Sequence, residues 1–241
     1  MAATIHIGTS GWNYGHWKGP FYPEDLSDQD LLSYYRKRFD TVEINNSFYN
    51  LPSESSLASW KDTVPGDFEF SVKASRYITH MKKLKDPQEP LENFMDRIET
   101  LGNRLGPILF QLPPKWNCNL DRLRSFLATL PSNHRCTMEF RDDSWWNEDV
   151  FDLLKKHNCS FCAYDLAGTQ SPKELTADFA YVRLHGPADA YEGRYGKQAL
   201  AAWAGTFSAW RSDLKDIYCY FDNDQNGYAA LDAADLNDMM K

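Results

Sequence analysis

A short apolar run recurs eight times along this chain, and the runs finish on the polar or charged residues Thr9, Asn45, Lys73, Gln111, Arg141, Asp165, His185 and Asn223. Apolar residues at helical spacing separate most neighbouring runs. Strands that alternate with helices re-enter their sheet in the same direction and therefore lie parallel. Eight such units in 241 residues predict an α/β fold, a single (β/α)8 TIM-like barrel over residues 1–241 with its active-site rim at the C-terminal ends of the strands. An open parallel sheet is the competing architecture. The segment Gly8-Thr9-Ser10-Gly11-Trp12 after the first run matches neither the Rossmann nor the P-loop spacing, so no nucleotide cofactor is expected on a glycine-rich loop.

The predicted strands cover residues 5–8, 41–45, 68–73, 107–111, 136–141, 160–165, 180–185 and 217–222. Ser27 is placed to cap a helix whose buried face is Leu31, Tyr35 and Phe39. Further helices carry Leu57 and Trp60, then Leu91, Phe94, Ile98 and Leu101, then Leu120 to Leu130, and then Val150 to Leu154. The helix after the sixth strand is weak. A strong one with Leu200, Trp203, Phe207, Trp210 and Leu214 follows the seventh, and Tyr228 to Met240 closes the chain.

Side chains two apart on a strand share a face. With Val42 and Ile44 turned to the helices, Glu43 and Asn45 point inward; the same alternation gives Ser71 and Lys73, Leu109 and Gln111, Glu139 and Arg141, and Ala163 and Asp165. The last two strands add Tyr181, Arg183 and His185, then Tyr218, Tyr220 and Asp222. Such groups either neutralise one another as interior ion pairs, for example Glu43 with Lys73, or serve a polar ligand. Burying so many charges is costly, which favours the ligand.

Composition narrows the partner. With 34 acidic residues against 26 Lys and Arg, the chain is a poor general binder of phosphate backbones, although a local basic site is compatible with it. No basic n-region precedes the first strand and no apolar stretch reaches membrane-spanning length, so a cytoplasmic protein without membrane contact is expected. Cys118, Cys136, Cys159, Cys162 and Cys219 read as reduced, mostly buried thiols. Cys159 and Cys162 form a CxxC only in spelling, because on a strand the two sulfurs point to opposite faces. The segment from Asp222 to Gly227 begins like a calcium loop, but its twelfth position is Ala233 and it follows a strand.

At these residues the chain resembles the YecE-like family, also called domain of unknown function 72. The matching segments are GTSGWNYGHWKGPFYP (8–23), TVEINNSFYNLP (41–52), FSVKASRYITHMKKL (70–84) and GPILFQLPPKW (106–116), followed by MEFRDDSWW (138–146), YVRLHGP (181–187), YEGRYG (191–196) and YCYFDNDQNGYAALDA (218–233). They cover nearly the whole chain in order. The family's pattern has Asn where this chain has Asp222. The resemblance implies a TIM-like barrel related in architecture to the sugar isomerase and endonuclease IV barrels, and it implies no established reaction.

Lys73, Arg76, Arg141 and Arg183 lie at or just past strand ends, where they are suited to clamp a phosphate or carboxylate. Glycines between Gly186 and Gly196 offer backbone donors in a region where barrels hold phosphate. Glu43, Glu139, Asp165 and His185 are the candidate acids, bases or nucleophiles, with Glu43 and Glu139 assigned to proton transfer. Asn45, His80, Gln111 and Asn223 are candidate substrate contacts. Trp12, Tyr14, Trp17, Phe21 and Tyr22, with Trp145, Tyr191 and Tyr195, form either a stacking wall for a ring or a self-packed cap. The interleaved cations oppose a tightly bound metal. The expected activity is general acid/base chemistry on a small anionic ring-containing molecule or nucleic-acid fragment; no protein partner is legible. A noncatalytic sensor using the same pocket and a metal-dependent phosphodiester hydrolase are the alternatives.

Overall fold

Eight strands that pair with one another in parallel give the chain its shape. In the computed structural model, which describes residues 2–241, the strands in chain order are β1 (Thr4–Thr9), β2 (Thr41–Ile44), β3 (Glu69–Lys73), β4 (Leu105–Gln111) and β5 (Cys136–Glu139), then β6 (Ser160–Leu166), β7 (Thr169–Gln170), β8 (Phe179–Leu184) and β9 (Asp216–Phe221). The hydrogen-bonded order is β1-β9-β8-β6-β5-β4-β3-β2, and β7 folds back antiparallel on the end of β6. The helices are α1 (Leu31–Tyr35), α2 (Glu54–Thr63), α3 (Gln88–Ile98), α4 (Leu120–Leu127), α5 (Glu148–Lys156), α6 (Lys197–Trp210) and α7 (Tyr228–Met239). Side-chain oxygens of Ser53, Asn119 and Asn147 accept from the first-turn amides of α2, α4 and α5, which fixes where those helices begin. Among the described residues no helix is long and apolar enough to cross a membrane.

Closure between β1 and β2 uses few ladder bonds. The two strands meet at a single parallel bridge, Ser10 with Glu43, supported by the Gly11 amide donating to the Glu43 carbonyl at 2.8 Å. Below it the Tyr35 hydroxyl of α1 stands between the strands, accepting from the Thr9 amide at 2.9 Å and donating to the Thr41 carbonyl at 3.1 Å. A side chain thus does what a ladder bond does elsewhere. Gly8 is required at this seam, since a Cβ there would lie 2.3 Å from the Thr41 carbonyl oxygen.

Two apolar layers result. Val42, Ile44, Val72, Ile108, Phe110 and Met138 face the helices, while Leu109, Cys162, Phe179, Tyr181, Tyr218 and Tyr220 fill the barrel. The inner tyrosines span it: the Tyr181 hydroxyl donates to Glu43 Oε2 at 2.6 Å, that of Tyr218 donates to Glu69 Oε2 at 2.7 Å, and that of Tyr220 pairs with Thr41 Oγ1 at 2.7 Å. Buried tyrosines need partners, and here the partners lie on other strands across the interior.

Two expectations need correction. No helix follows β6; residues 171–178 run irregularly, and the hydroxyls of Ser171 and Thr176 accept from the β6 amides of Tyr164 (2.8 Å) and Phe161 (2.7 Å). The alternation assigned to the sixth strand is also out by one. Cys162 faces the interior, whereas Ala163 packs in the outer layer.

At the N-terminal pole His6 stacks on Tyr218 with ring centroids 4.8 Å apart, and its ring nitrogens lie 3.2 Å from Asp40 and 3.6 Å from Asp216. Burial alone would lower its pKa, but bonds to Asp216 and Asp40 outweigh burial and raise it to about 9. A pKa raised on folding adds stability that is fully present below the ordinary value of 6.5 and is lost as pH rises through about 9. Replacing His6 by Asn is therefore expected to destabilise the barrel more at pH 6 than at pH 10, by on the order of 2 kcal/mol in urea titrations, a value discounted for the solvent around Asp40. An equal loss at both pH values would show that the pair carries no such linkage.

Candidate functional site

Arg183, on the inner face of β8, is completely buried at the C-terminal end of the barrel. It donates through Nη2 to Glu43 Oε1 (2.8 Å) and Asp222 Oδ2 (3.0 Å), and through Nη1 to Glu139 Oε2 (2.9 Å). One guanidinium therefore ties together β2, β5 and the residue after β9. Glu43 has no free oxygen, because Ser10 Oγ donates to Oε1 at 2.5 Å and the Tyr181 hydroxyl holds Oε2. Glu139 Oε1 accepts from Arg141 Nε. The same Arg141 donates through Nη2 to His185 Nε2 at 2.7 Å, so Nε2 is the acceptor and Nδ1 carries the proton given to Asp222 Oδ2 at 3.0 Å.

Burial acts to raise the Glu139 carboxyl, but Arg141 and Arg183 beside it hold it well below the ordinary range; at Asp222 burial is again the largest influence, and Arg183, His185 and Lys73 together outweigh it and shift the carboxyl down. Glu43, Glu139, Arg141, Arg183 and His185 are thus engaged with one another. Among the described residues no group of three or more His, Cys, Asp or Glu side chains is arranged to hold a metal ion.

A second group at the same end is differently disposed. Phe48, Tyr49, Lys73, Arg76, His80, Gln111 and Tyr191 line an open cavity of about 310 Å³. Lys73 ends β3 on the inner face, Arg76 immediately precedes the π-type turn Tyr77–Met81 and His80 lies on it; the Lys82 amide, donating to the Tyr77 carbonyl, closes its wide winding. Such turns recur at functional sites. Among the described residues neither Lys73 nor Arg76 has an acidic partner at ion-pair distance; Lys73 Nζ lies 4.6 Å from the centre of the Phe48 ring and Arg76 lies over Tyr49. Burial, then the charge of Arg183, lowers Lys73 to about 8. Burial, then Lys73 and Arg76, lowers His80 to about 4.

Other sequence candidates lie outside this cavity. Asp165 accepts from Gln170 Nε2 at 3.0 Å on the other face of β6, and burial raises its pKa. Trp145 is core, its indole N–H donating to the Trp116 carbonyl at 2.6 Å. The Tyr195 hydroxyl accepts from the Gly186 amide at 3.1 Å, and Asn223 donates to the Gly193 carbonyl and Asp232, so both brace the loop after β8. The Gly193 amide is taken by Gln225, which leaves the glycines of that loop less free to hold an anion than expected. Asn45 reaches Asp222 only at 3.5 Å and lines a separate cavity of about 540 Å³ with Trp12, Tyr14 and Trp60. Trp17 and Tyr22 pack against each other as a cap, and Phe21 packs with them.

Phe48 and Tyr49 were not legible as site residues, because a one-turn helix, Asn46–Phe48, carries them sideways over β3 after β2 has ended. The available signal was an aromatic pair just beyond a strand end. Tyr49 is 71% and Tyr191 45% exposed, so both rings present open faces at the rim of the cavity.

Comparison with known proteins agrees with this architecture. The sequence model of the family described as "Protein of unknown function DUF72" matches residues 6–241. The UPF0759 protein YunF of Bacillus subtilis is 26% identical, over 94% of this chain and 91% of its own length. The UPF0759 protein YecE of Escherichia coli K12 is 28% identical over 57% of this chain and 48% of its own. The crystal structure of a DUF72 family protein from Thermotoga maritima superposes with a TM-score of 0.90 at 30% identity, covering 98% of this chain and 99% of that one.

Arg183→Met leaves three carboxylates without their shared cation and is expected to cost on the order of 3–5 kcal/mol in chemical denaturation at neutral pH. Glu139 and Asp222 titrate below their ordinary values, 4.5 and 3.8, so their part of this stability is present above those values and lost as pH falls below them. The variant's deficit should accordingly shrink in acid. A deficit under about 1 kcal/mol at pH 7 would mean the hub is not what holds the strands.

Proposed function

This chain belongs to the DUF72 family of proteins of unknown function, and from that premise, which brings no reaction with it, we propose that the cavity beside β3 binds a small anionic, ring-containing molecule. One observation carries the reading: Lys73 and Arg76 line this cavity, among the described residues neither has an acidic partner at ion-pair distance, and exposed aromatic rings rim it. An unpaired ammonium and guanidinium attract a phosphate or carboxylate, and the guanidinium fork can grip either through two parallel bonds. Tyr49 and Tyr191 give the ring a stacking surface. A nucleotide, a sugar phosphate or the end of a nucleic-acid fragment meets these requirements.

General acid/base chemistry then falls to Lys73, whose pKa of about 8 is close to working pH. Glu43 and Glu139, assigned to proton transfer from the sequence, have their oxygens committed to Arg183, Arg141, Ser10 and Tyr181. They act in this reading as the frame that positions the cavity. The same commitment supports a noncatalytic binding role as the second reading, since it removes carboxylates from the reacting set. A bound ligand recovered unchanged after prolonged incubation would select that role.

Calorimetric titration with inorganic phosphate and with adenosine monophosphate tests the pocket. Both are expected to bind, the nucleotide more tightly. Lys73→Met should weaken both by about tenfold or more, equivalent to about 1.4 kcal/mol, and Tyr49→Ala should weaken the nucleotide alone. Because Lys73 is charged below about 8, affinity should fall as pH rises through that value. Equal phosphate affinity in wild type and Lys73→Met would remove the anion from this cavity.

A further inference from the structure

Lys73 sits in the cavity lining at the inner end of β3, desolvated by its surroundings and, among the described residues, without an acidic partner at ion-pair distance. Arg183 and Arg141 are spent on carboxylates, and Arg76 reaches outward to Tyr49. The Lys73 amine rests on the face of Phe48, which keeps water from one side of it, and its other side opens to the cavity of about 310 Å³. A buried amine next to other cations, with no carboxylate in contact to hold its proton, is the arrangement that makes a lysine nucleophilic.

We infer that Lys73 forms an imine with the carbonyl carbon of a small anionic aldehyde or 2-oxo acid whose charged end is held by Arg76 and Gln111. This deepens the anion-pocket reading and rests on it. The neutral amine attacks the carbonyl carbon and the C–O π bond becomes a hydroxyl. The nitrogen then expels that hydroxyl as water, so both amine protons end on the departing oxygen and a C=N bond replaces C=O. No oxidant, reductant or further reactant is consumed. The charged and titratable groups facing Lys73 come from several elements: Arg183 from β8, Asp222 after β9, Glu139 from β5, Glu43 from β2, and Arg76 and His80 from its own turn. The acids favour its charged form, while burial and Arg183 oppose them and prevail, leaving a substantial neutral fraction near pH 8. His80, lowered to about 4, is neutral there and adds no competing charge.

Reductive trapping tests this. The full chain is incubated with glyoxylate, pyruvate or glyceraldehyde 3-phosphate, reduced with borohydride and mapped by peptide mass spectrometry. Modification of Lys73 is expected at least about tenfold above that of the neighbouring Lys82, Lys83 and Lys85, rising with pH through about 8 and suppressed by inorganic phosphate. Lys73→Arg, which cannot form an imine, should lose the adduct. Labelling spread evenly over the lysines would overturn the inference in the wild-type protein itself, whatever the fate of the variant. Phosphate binding without a Lys73 adduct would sink the imine and leave the anion pocket standing. An adduct indifferent to phosphate would keep the nucleophile and overturn the anion pocket.

Discussion

The buried guanidinium of Arg183 is the contact on which the C-terminal end of this barrel depends. Strands β1 and β2 share little ladder, so the seam needs support from inside. Arg183 supplies it by holding Glu43 of β2 from the far wall while also binding Glu139 and Asp222. Desolvating one guanidinium and three carboxylates costs several kcal/mol per ion, and such a cluster is retained only where geometry and extra hydrogen bonds offset that cost. Ser10, Tyr181, Arg141 and His185 provide those bonds. What the network provides is therefore the placement of strand ends more than net stability.

That commitment decides where reactivity can lie. Both oxygens of Glu43 accept from guanidinium, serine and tyrosine donors, and Glu139, held well below the ordinary carboxylate range by Arg141 and Arg183, is a poor base. The cations that line the cavity, Lys73 and Arg76, lie one strand away. Frame and reacting groups are thus neighbours with separate tasks: the frame fixes β2, β5, β8 and β9, and the cavity uses the end of β3 with the turn after it.

Much of this was legible from alternation alone. Period-two spacing anchored on Val42 and Ile44 is enough to turn Glu43, Ser71, Glu139, Arg183 and Asp222 inward, because each of those strands presents polar residues to one face only. It failed on β6, where Ser160-Phe161-Cys162-Ala163 is buried on both faces and small residues give the phase no contrast. Asp165 was misplaced by that slip. Trp145, Tyr195 and Asn223 were misjudged for another reason. Each lies beyond a strand end, where period-two alternation no longer sets direction, and local packing or a carboxylate such as Asp232 takes the side chain. Phe48 and Tyr49 escaped notice on the same ground, since a single helical turn sets their direction.

Lys73 faces two demands that oppose each other. An anion is held best by a charged ammonium, whereas attack on a carbonyl requires the free amine. In a site with one cation these would be exclusive, and a lysine neutral enough to react would release its ligand. Arg76 resolves the conflict, because its guanidinium keeps hold of the anionic end, more weakly than the two cations together, when Lys73 gives up its proton. Lys73 is then free to lose its proton to the combined effect of burial and Arg183. An incoming anion adds negative charge beside Lys73 and pushes its pKa back up, so the neutral fraction survives only if the ligand's charge sits closer to Arg76 than to the amine. The three-residue step from Lys73 at the end of β3 to Arg76 just before the π-type turn sets that separation, which ties the path of this connection to the reactivity of the amine.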